Sequence, residues 1–502
     1  MGPTWDSDLC SDTVGYALAD PVICPTRRWK SAAGRCGRHL RLTLICLLCL
    51  IGATLPPFRA NAASSAEPGG TPSAALPAPP DFLRNKPQIP ELILKDKREG
   101  AYFTGIPVIG TNPESGVVLG ANIQWFDNGA KDSPFFAYAP YRKKVSATFD
   151  LSTRGRQEYI LEYDQPYIAD TPWRVRAYGA YLREKFADYF GIGEGTLERL
   201  RFPGTPGVTY RRANNYFNAL RDIRDGKTWE RFNYFDKRQA TFVGNLERDY
   251  FGGLLRPLVG VQVSHIDVRD YTGVEVNGGV SQETLLRQDF RQGRIRDFDG
   301  GWLNLARVGL TYDSRDYEPD PTSGVLGQAL LEGTTRWLGA SSDYGHLTLK
   351  FQGYRRLIPD VTRLVLAGNA VYSVHFGVVP FYALSSLAAP NEEGKEGLGG
   401  WSTLRGYYAN RFVGKVKMHG SLELRWSPFE FTVWNQHIKP TFVPFVDAGR
   451  VFDKIGRFSV DDWKIAGGIG LRLIWNLATI ISFDVGFSRE STLFYVQLGH
   501  QF

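Results

Sequence analysis

Apolar and polar residues alternate with a period of two through much of the chain, most plainly at its end. In FYVQLGHQF, Phe494, Val496, Leu498 and Phe502 fall on one face and Tyr495, Gln497, Gly499 and Gln501 on the other, with His500 breaking the apolar side. GSLELRW (Gly420–Trp426) sets Leu422, Leu424 and Trp426 against Ser421, Glu423 and Arg425. KIAGGIGLRL sets Ile465, Ile469, Leu471 and Leu473 against Lys464, Ala466, Gly468, Gly470 and Arg472, and RLVLAGNA (Arg363–Ala370) repeats the scheme. Successive side chains of a strand point to opposite faces. A soluble sandwich alternates too, but charges recur here on the inner faces of many long strands. A water-filled lumen accepts them at little desolvation cost. Membrane-crossing strands have this form: roughly ten residues, apolar toward lipid and polar toward the lumen.

The walk along the chain gives about sixteen such strands, the first near Ala101 and the last near Leu493, an even number as a closed bacterial barrel requires. Connections after even-numbered strands are mostly short and turn-like (DQPYIADTP, ERDYFGG, DSRDYEPDPTSG, WNLA). Several after odd-numbered strands are long: Arg183–Asn233, Arg269–Gly301 and Phe376–Val416. The prediction is an all-β transmembrane antiparallel barrel over residues 101–502, with short periplasmic turns and long extracellular loops. The two loops rich in Arg, Asp and aromatics, 183–233 and 269–301, are expected to form an external cap.

Composition adds the compartment. Of 502 residues 43% are hydrophobic and 13% aromatic, with 54 glycines and only two methionines, and the mean hydropathy of −0.25 excludes a polytopic helical membrane protein. The only long apolar run, Leu42–Leu55, follows Arg35, Arg38 and Arg41 and precedes Ala60-Asn61-Ala62. That order reads as a signal peptide over 1–62. The five cysteines (10, 24, 36, 46 and 49) all precede the cleavage site, leaving no thiol chemistry or disulfide afterwards. Without residues 1–62 the chain has 52 basic against 48 acidic residues, so net charge falls from +7 to +4, with no basic tract suited to nucleic acid. Residues 63–100, opening on a Pro/Ala-rich stretch, read as a flexible periplasmic tail.

Catalytic signals are absent from the sequence. There is no G-x-S-x-G, and the histidines after residue 62 stand singly, without H-E-x-x-H spacing. The chain is expected not to be an enzyme, to bind no metal and to carry no cofactor. Lys464, Arg472 and Arg363 are expected to line the lumen.

One long connection contains GGWSTLRGYYANRFVG (Gly399–Gly414), in which Arg405 stands among glycines and aromatics. Its LRGY, Leu404–Tyr407, resembles the [VIL]-R-G-[FY] signature of the BamA/TamA family of outer-membrane barrels, the bacterial surface antigen type. LTYDSRDYEPDPTSG (Leu310–Gly324) resembles that family's D-[TS]-R-D…P-x-x-G turn, FVPFVDAGRVFD (Phe442–Asp453) its F-x-D-x-G-x-V strand, and GGIGLRL with the aromatic terminal strand its last shared segments. The resemblance spans roughly Ala101–Phe502. It implies that the loop folds back into the lumen, with Arg405, Gly406 and Tyr407 at its lock, Asp447 the arginine's partner and Glu423 a second acceptor. It makes Asp313, Arg315, Asp316 and Gly324 a structural turn, and Tyr495 and Phe502 part of the C-terminal signal by which such barrels are assembled. No periplasmic POTRA domain is legible before the barrel, so the resemblance is to a barrel-only member. The implied role is assembly, insertion or translocation at the outer membrane of a Gram-negative bacterium. Its expected partners are membrane lipid, lipopolysaccharide, unfolded outer-membrane clients and a periplasmic partner protein. The alternatives are a gated pore or lipid-homeostasis barrel and, below these, an outer-membrane hydrolase. The first strand, AYFTGIPVIG, carries Gly105, Pro107 and Gly110. Because proline lacks a ladder donor, this strand reads either as one side of a weak seam or as a plain, imperfect start.

Overall fold

The computed structural model of the chain describes residues 78–358, 363–390, 397–434, 436–477 and 479–502. The signal-peptide reading of residues 1–62 and the first part of the predicted tail lie outside them.

Among the described residues, sixteen strands form one antiparallel meander that closes on itself. They are β1 (Ala101–Asn112), β2 (Gly116–Asp127), β3 (Lys143–Ser152), β4 (Arg156–Gln165), β5 (Trp173–Asp188), β6 (Tyr234–Arg248), β7 (Leu255–Asp270) and β8 (Gly300–Asp313). The second half comprises β9 (Gly324–Thr334), β10 (Tyr344–Ile358), β11 (Arg363–Gly377), β12 (Val416–Ser427), β13 (Gln436–Phe452), β14 (Lys464–Trp475), β15 (Thr479–Phe487) and β16 (Thr492–Leu498). Most start within three residues of the positions that alternation predicts. Outward residues such as Ile109, Leu119, Leu161, Val308 and Ile469 are exposed, as an apolar band facing lipid must be. Inward ones such as Arg307, Glu332, Glu423 and Arg472 are buried. Among the described residues no helix is long and apolar enough to cross a membrane.

Closure is uneven. β1 pairs with β2 over its whole length, and β15 pairs with β16 from Ile481↔Leu498 to Phe487↔Thr492. β1 and β16 share one register position, Thr111↔Val496. Pro107 therefore sits in a strand whose second edge is almost unpaired, where the missing N–H costs least.

The predicted flexible tail is corrected for residues 78–100. They fold as a short 3-10 turn (Asp81–Leu83) and a helix, α1 (Glu91–Asp96), strapped across the turns that follow β2, β4 and β6. Leu83 is fully buried with Phe135, Ala139 and Tyr167. Ile89 N–H donates to the Ala137 carbonyl at 2.9 Å, Asn85 N–H to Gly252 at 3.0 Å, and Lys97 Nζ to the Phe136 and Ala139 carbonyls at 2.6 Å. Proline/alanine composition conceals this, because the strap's apolar residues have no periodicity of their own and are buried only by distant turns.

The long connections after β5 and β7 form a folded cap at the opposite end. α2 (Ala213–Arg221) buries Tyr216, Phe217 and Leu220 against Phe202, Phe232 and Tyr234. α3 (Leu285–Arg291) buries Leu286 against Phe298 and Phe381, capped by Thr284. Thr284 Oγ1 accepts from Arg287 N–H at 3.3 Å, a standard N-cap role.

Candidate functional site

The connection between β11 and β12 enters the lumen. Leu398 and Phe412 pair backbone to backbone (3.0 Å both ways), so the loop returns on itself as a hairpin. Its fully buried Leu398, Leu404 and Phe412, with Tyr407, pack on Val371, Val451 and Ala466 of β11, β13 and β14. This small apolar core holds the loop against an otherwise polar wall.

The wall is shaped to receive it. Register aligns Glu423 of β12, Phe445 of β13, Gly468 of β14 and Gly486 of β15 in one row. A Cβ on Gly486 would lie 2.6 Å from the Arg405 carbonyl carbon and 2.7 Å from Gly406 N. Gly406, at φ 98°, would in turn strike the Gly486–Phe487 backbone at 3.0 Å. Loop and strand therefore cross glycine against glycine, the closest approach two backbones can make.

Arg405 ends this crossing with no solvent exposure. Its Nε and Nη2 donate to the two carboxylate oxygens of Asp447, both at 2.9 Å, and its backbone N–H to Asp447 Oδ2 at 3.1 Å. Nη1 donates to Glu423 Oε1 at 2.8 Å, and the guanidinium lies 3.3 Å above the Phe445 ring centroid. The planar fork can satisfy two carboxylates and an aromatic face together. Three further charged residues, and Trp401, join the cluster. Asp484 lies 3.6 Å from Arg405 and accepts from Arg472 (2.6 and 3.1 Å) and from Trp401 Nε1 (3.0 Å). Arg425 donates to Glu423 Oε2 at 2.9 Å and to the Phe502 carbonyl at 2.9 Å. Three guanidinium groups thus face three carboxylates, as burial demands. The sequence places Arg472 on the lumen wall without naming its partner; alternation within ISFDVGF puts the carboxylate of Asp484 inside, but nothing local singles it out.

The other anticipated residues lie outside the charge cluster. Arg315 forks onto Asp313 (2.9 and 2.8 Å). Asp316 accepts from Tyr317, Thr322 and Ser323 N–H (3.0, 2.9 and 3.2 Å), and Gly324 starts β9 directly after this turn. Lys464 Nζ donates to the Leu197 carbonyl in the cap at 2.7 Å. Arg363 pairs with Glu430 at 3.0 Å on the turn-end rim and does not line the deeper lumen. Tyr495 is buried beneath the loop, its hydroxyl accepting from Gly406 N–H at 3.2 Å.

Phe502 is not the last outward residue. β16 ends at Leu498, and Gly499, at φ 92°, turns the chain inward. Gln501 then donates to the Thr403 carbonyl at 3.1 Å, and the Phe502 ring faces Tyr354 and Arg425 at 6.4 and 5.1 Å. His500, the exception on the apolar face, contacts Asp320 at 3.2 Å, and Lys439 pairs with the same carboxylate. A left-handed glycine ends the alternation that the sequence extrapolated.

A second buried group has the distances of a nucleophile relay: Ser373 Oγ to His346 Nε2 at 2.9 Å and His346 Nδ1 to Glu332 Oε2 at 3.1 Å. Ser373 is wholly buried, Thr348 shares Nε2 at 3.0 Å, and Arg307 occupies Glu332 Oε1 at 2.9 Å. With its hydroxyl enclosed, the group braces the wall from β8 to β11.

A closed barrel with lipid-facing apolar strands and a loop locked inside it defines an outer-membrane β-barrel of the Gram-negative type. The Omp85 superfamily domain matches residues 143–502, beginning at the first residue of β3, and the chain belongs to that superfamily. A domain of unknown function (DUF5982) matches 80–142, which takes in the strap, β1, β2 and the turn that the strap covers. No curated protein matches by sequence. Among solved structures, BamA from Haemophilus ducreyi lacking POTRA domains 1–3 is 14% identical, over 80% of this chain and 70% of that one, with a TM-score of 0.49. CdiB from Escherichia coli is 13% identical over 82% and 69%, TM-score 0.44. CdiB from Acinetobacter baumannii is 11% identical over 80% and 60%, TM-score 0.40.

Proposed function

We propose that this barrel inserts or translocates unfolded outer-membrane polypeptides, working at the edge between β1 and β16. The observation that carries this reading is the single register position, Thr111↔Val496, at which those strands meet. The unpaired N–H and C=O groups of β1 are a template on which an incoming strand can add. Arg405, Asp447 and Glu423 act in this scheme as the lock that keeps the loop in the lumen while the edge is worked, and Tyr495 supports the loop from β16. The lipid contacts follow from the compartment, and the client is an unfolded strand-forming chain. In this scheme a separate periplasmic protein delivers the client.

The test is to refold the barrel into liposomes and time the insertion of a second, unfolded barrel against empty liposomes. Several-fold acceleration supports insertion. With the barrel shown to be folded, insertion at the rate of empty liposomes would overturn autonomous insertase activity.

A further inference from the structure

Beyond the lock itself, the tip of the in-folded loop touches both sides of the seam, unequally. On the β16 side, the Gly406 carbonyl accepts from Ser488 Oγ and Ser491 Oγ, each at 2.6 Å, in the connection between β15 and β16. Gly406 N–H donates to Tyr495 of β16 at 3.2 Å. Arg411 forks onto Glu490 of the same connection at 2.8 and 3.0 Å. It also donates to the Thr196 and Glu198 carbonyls of the cap at 2.5 and 2.8 Å, and is 2% exposed. On the β1 side, one hydrogen bond joins loop tip to strand connection: Ala409 N–H to Glu114 Oε1 at 2.8 Å. Glu114 sits in the three-residue connection between β1 and β2, which Arg154 braces by donating to Pro113 O at 2.6 Å.

We infer that Glu114 is the releasable half of a clamp across the seam, and that β1 parts from a unit in which β16 and the loop stay together. The inference deepens the seam reading given above, since it concerns how that same edge is held shut. Strand pairing contributes one register position to closure, so the loop supplies much of the remainder. Its bonds on the β16 side are several, the Arg411–Glu490 pair among them charge-assisted, whereas the loop tip makes a single one to the β1–β2 connection. Opening follows the weaker side. Glu114 and Arg411 are positioning residues in this scheme: neither bonds a client, and each sets where an edge strand lies.

Hydrogen exchange of the full barrel in lipid nanodiscs tests this directly and needs no client, so its result stands apart from insertase activity. E114A removes the acceptor, E114D keeps the charge but falls one methylene short, and E114Q keeps an oxygen at the same reach. Folding of each is checked by its gel mobility before and after heating. In E114A and E114D, amides near Thr111 are expected to exchange up to about tenfold faster, the scale of one lost hydrogen bond. E114Q is expected to stay near wild type, and β16 and residues 397–412 to keep their protection in all three. Unchanged β1 exchange in E114A and E114D overturns the clamp. Equal loosening of β16 and the loop overturns the asymmetry.

Discussion

Arg405 shows how much one side chain can organise. Replacing it with alanine strips both guanidinium bonds from the buried Asp447 and leaves Glu423 with Arg425 as its remaining hydrogen-bonded arginine. Breaking a buried charge network from one side costs about 3–5 kcal/mol. R405A is therefore expected to unfold at clearly lower urea concentration, read from the loss of the fast-migrating folded band on gels. Lysine keeps the charge but cannot fork between Asp447 and Glu423 or stack on Phe445. R405K should recover less than half of the lost stability, and a wild-type midpoint for R405K would mean that charge alone matters. At this scale LRGY and the acidic residue of strand thirteen pick out the pair in the sequence. Asp484 and Arg425 are not legible as its companions, because an aspartate in a strand and an arginine beside a tryptophan do not declare what faces them across the lumen.

At the scale of elements, the loop's place depends on small residues in β14 and β15 more than on the loop itself. G486A would put a methyl group 2.6 Å from the Arg405 backbone, with no flexible side chain to give way. The loop must lift, and single-channel conductance in planar bilayers should rise. G467A, in the neighbouring strand, meets nothing closer than 3.5 Å and should conduct as wild type. Equal conductance in the two would show that the glycine crossing does not hold the loop down. Strand starts are read well from sequence because alternation is a property of each strand alone. The inward turn at Gly499 is not, since a glycine at a strand's end is equally compatible with continuing it.

On the scale of the whole molecule, the strap joins three turns that are far apart in sequence. Removing residues 78–97 would expose Phe135, Ala139 and Tyr167 and remove the hydrogen bonds that Asn85, Ile89 and Lys97 make with the turns. Trypsin cleavage at Lys131 is then expected to quicken about tenfold or more, in step with local unfolding of the turn, while peptides from β8–β14 stay intact. Unaltered cleavage at Lys131 would show that the strap only rests there. The in-folded loop stiffens one half of the barrel, and in the other half polar side chains bond across neighbouring strands of the wall. There Asn122 bonds Ser146 (2.9 Å) and Thr148, and Thr241 bonds Ser264 (3.0 Å).

The sequence by itself determined the all-β barrel, its sixteen strands, the long and short ends and the loop that carries Arg405. These rest on local rules: side-chain direction alternates along any extended backbone, and turn residues interrupt it. Only the tertiary structure decided which charges meet, because that depends on register between strands, where a shift of one residue would reverse every face. It also decided that the strap is folded, that Phe502 points inward, and that β1 and β16 barely pair. Each of these comes from contacts between segments distant in the chain, individually weak and collectively sufficient, which no local pattern encodes.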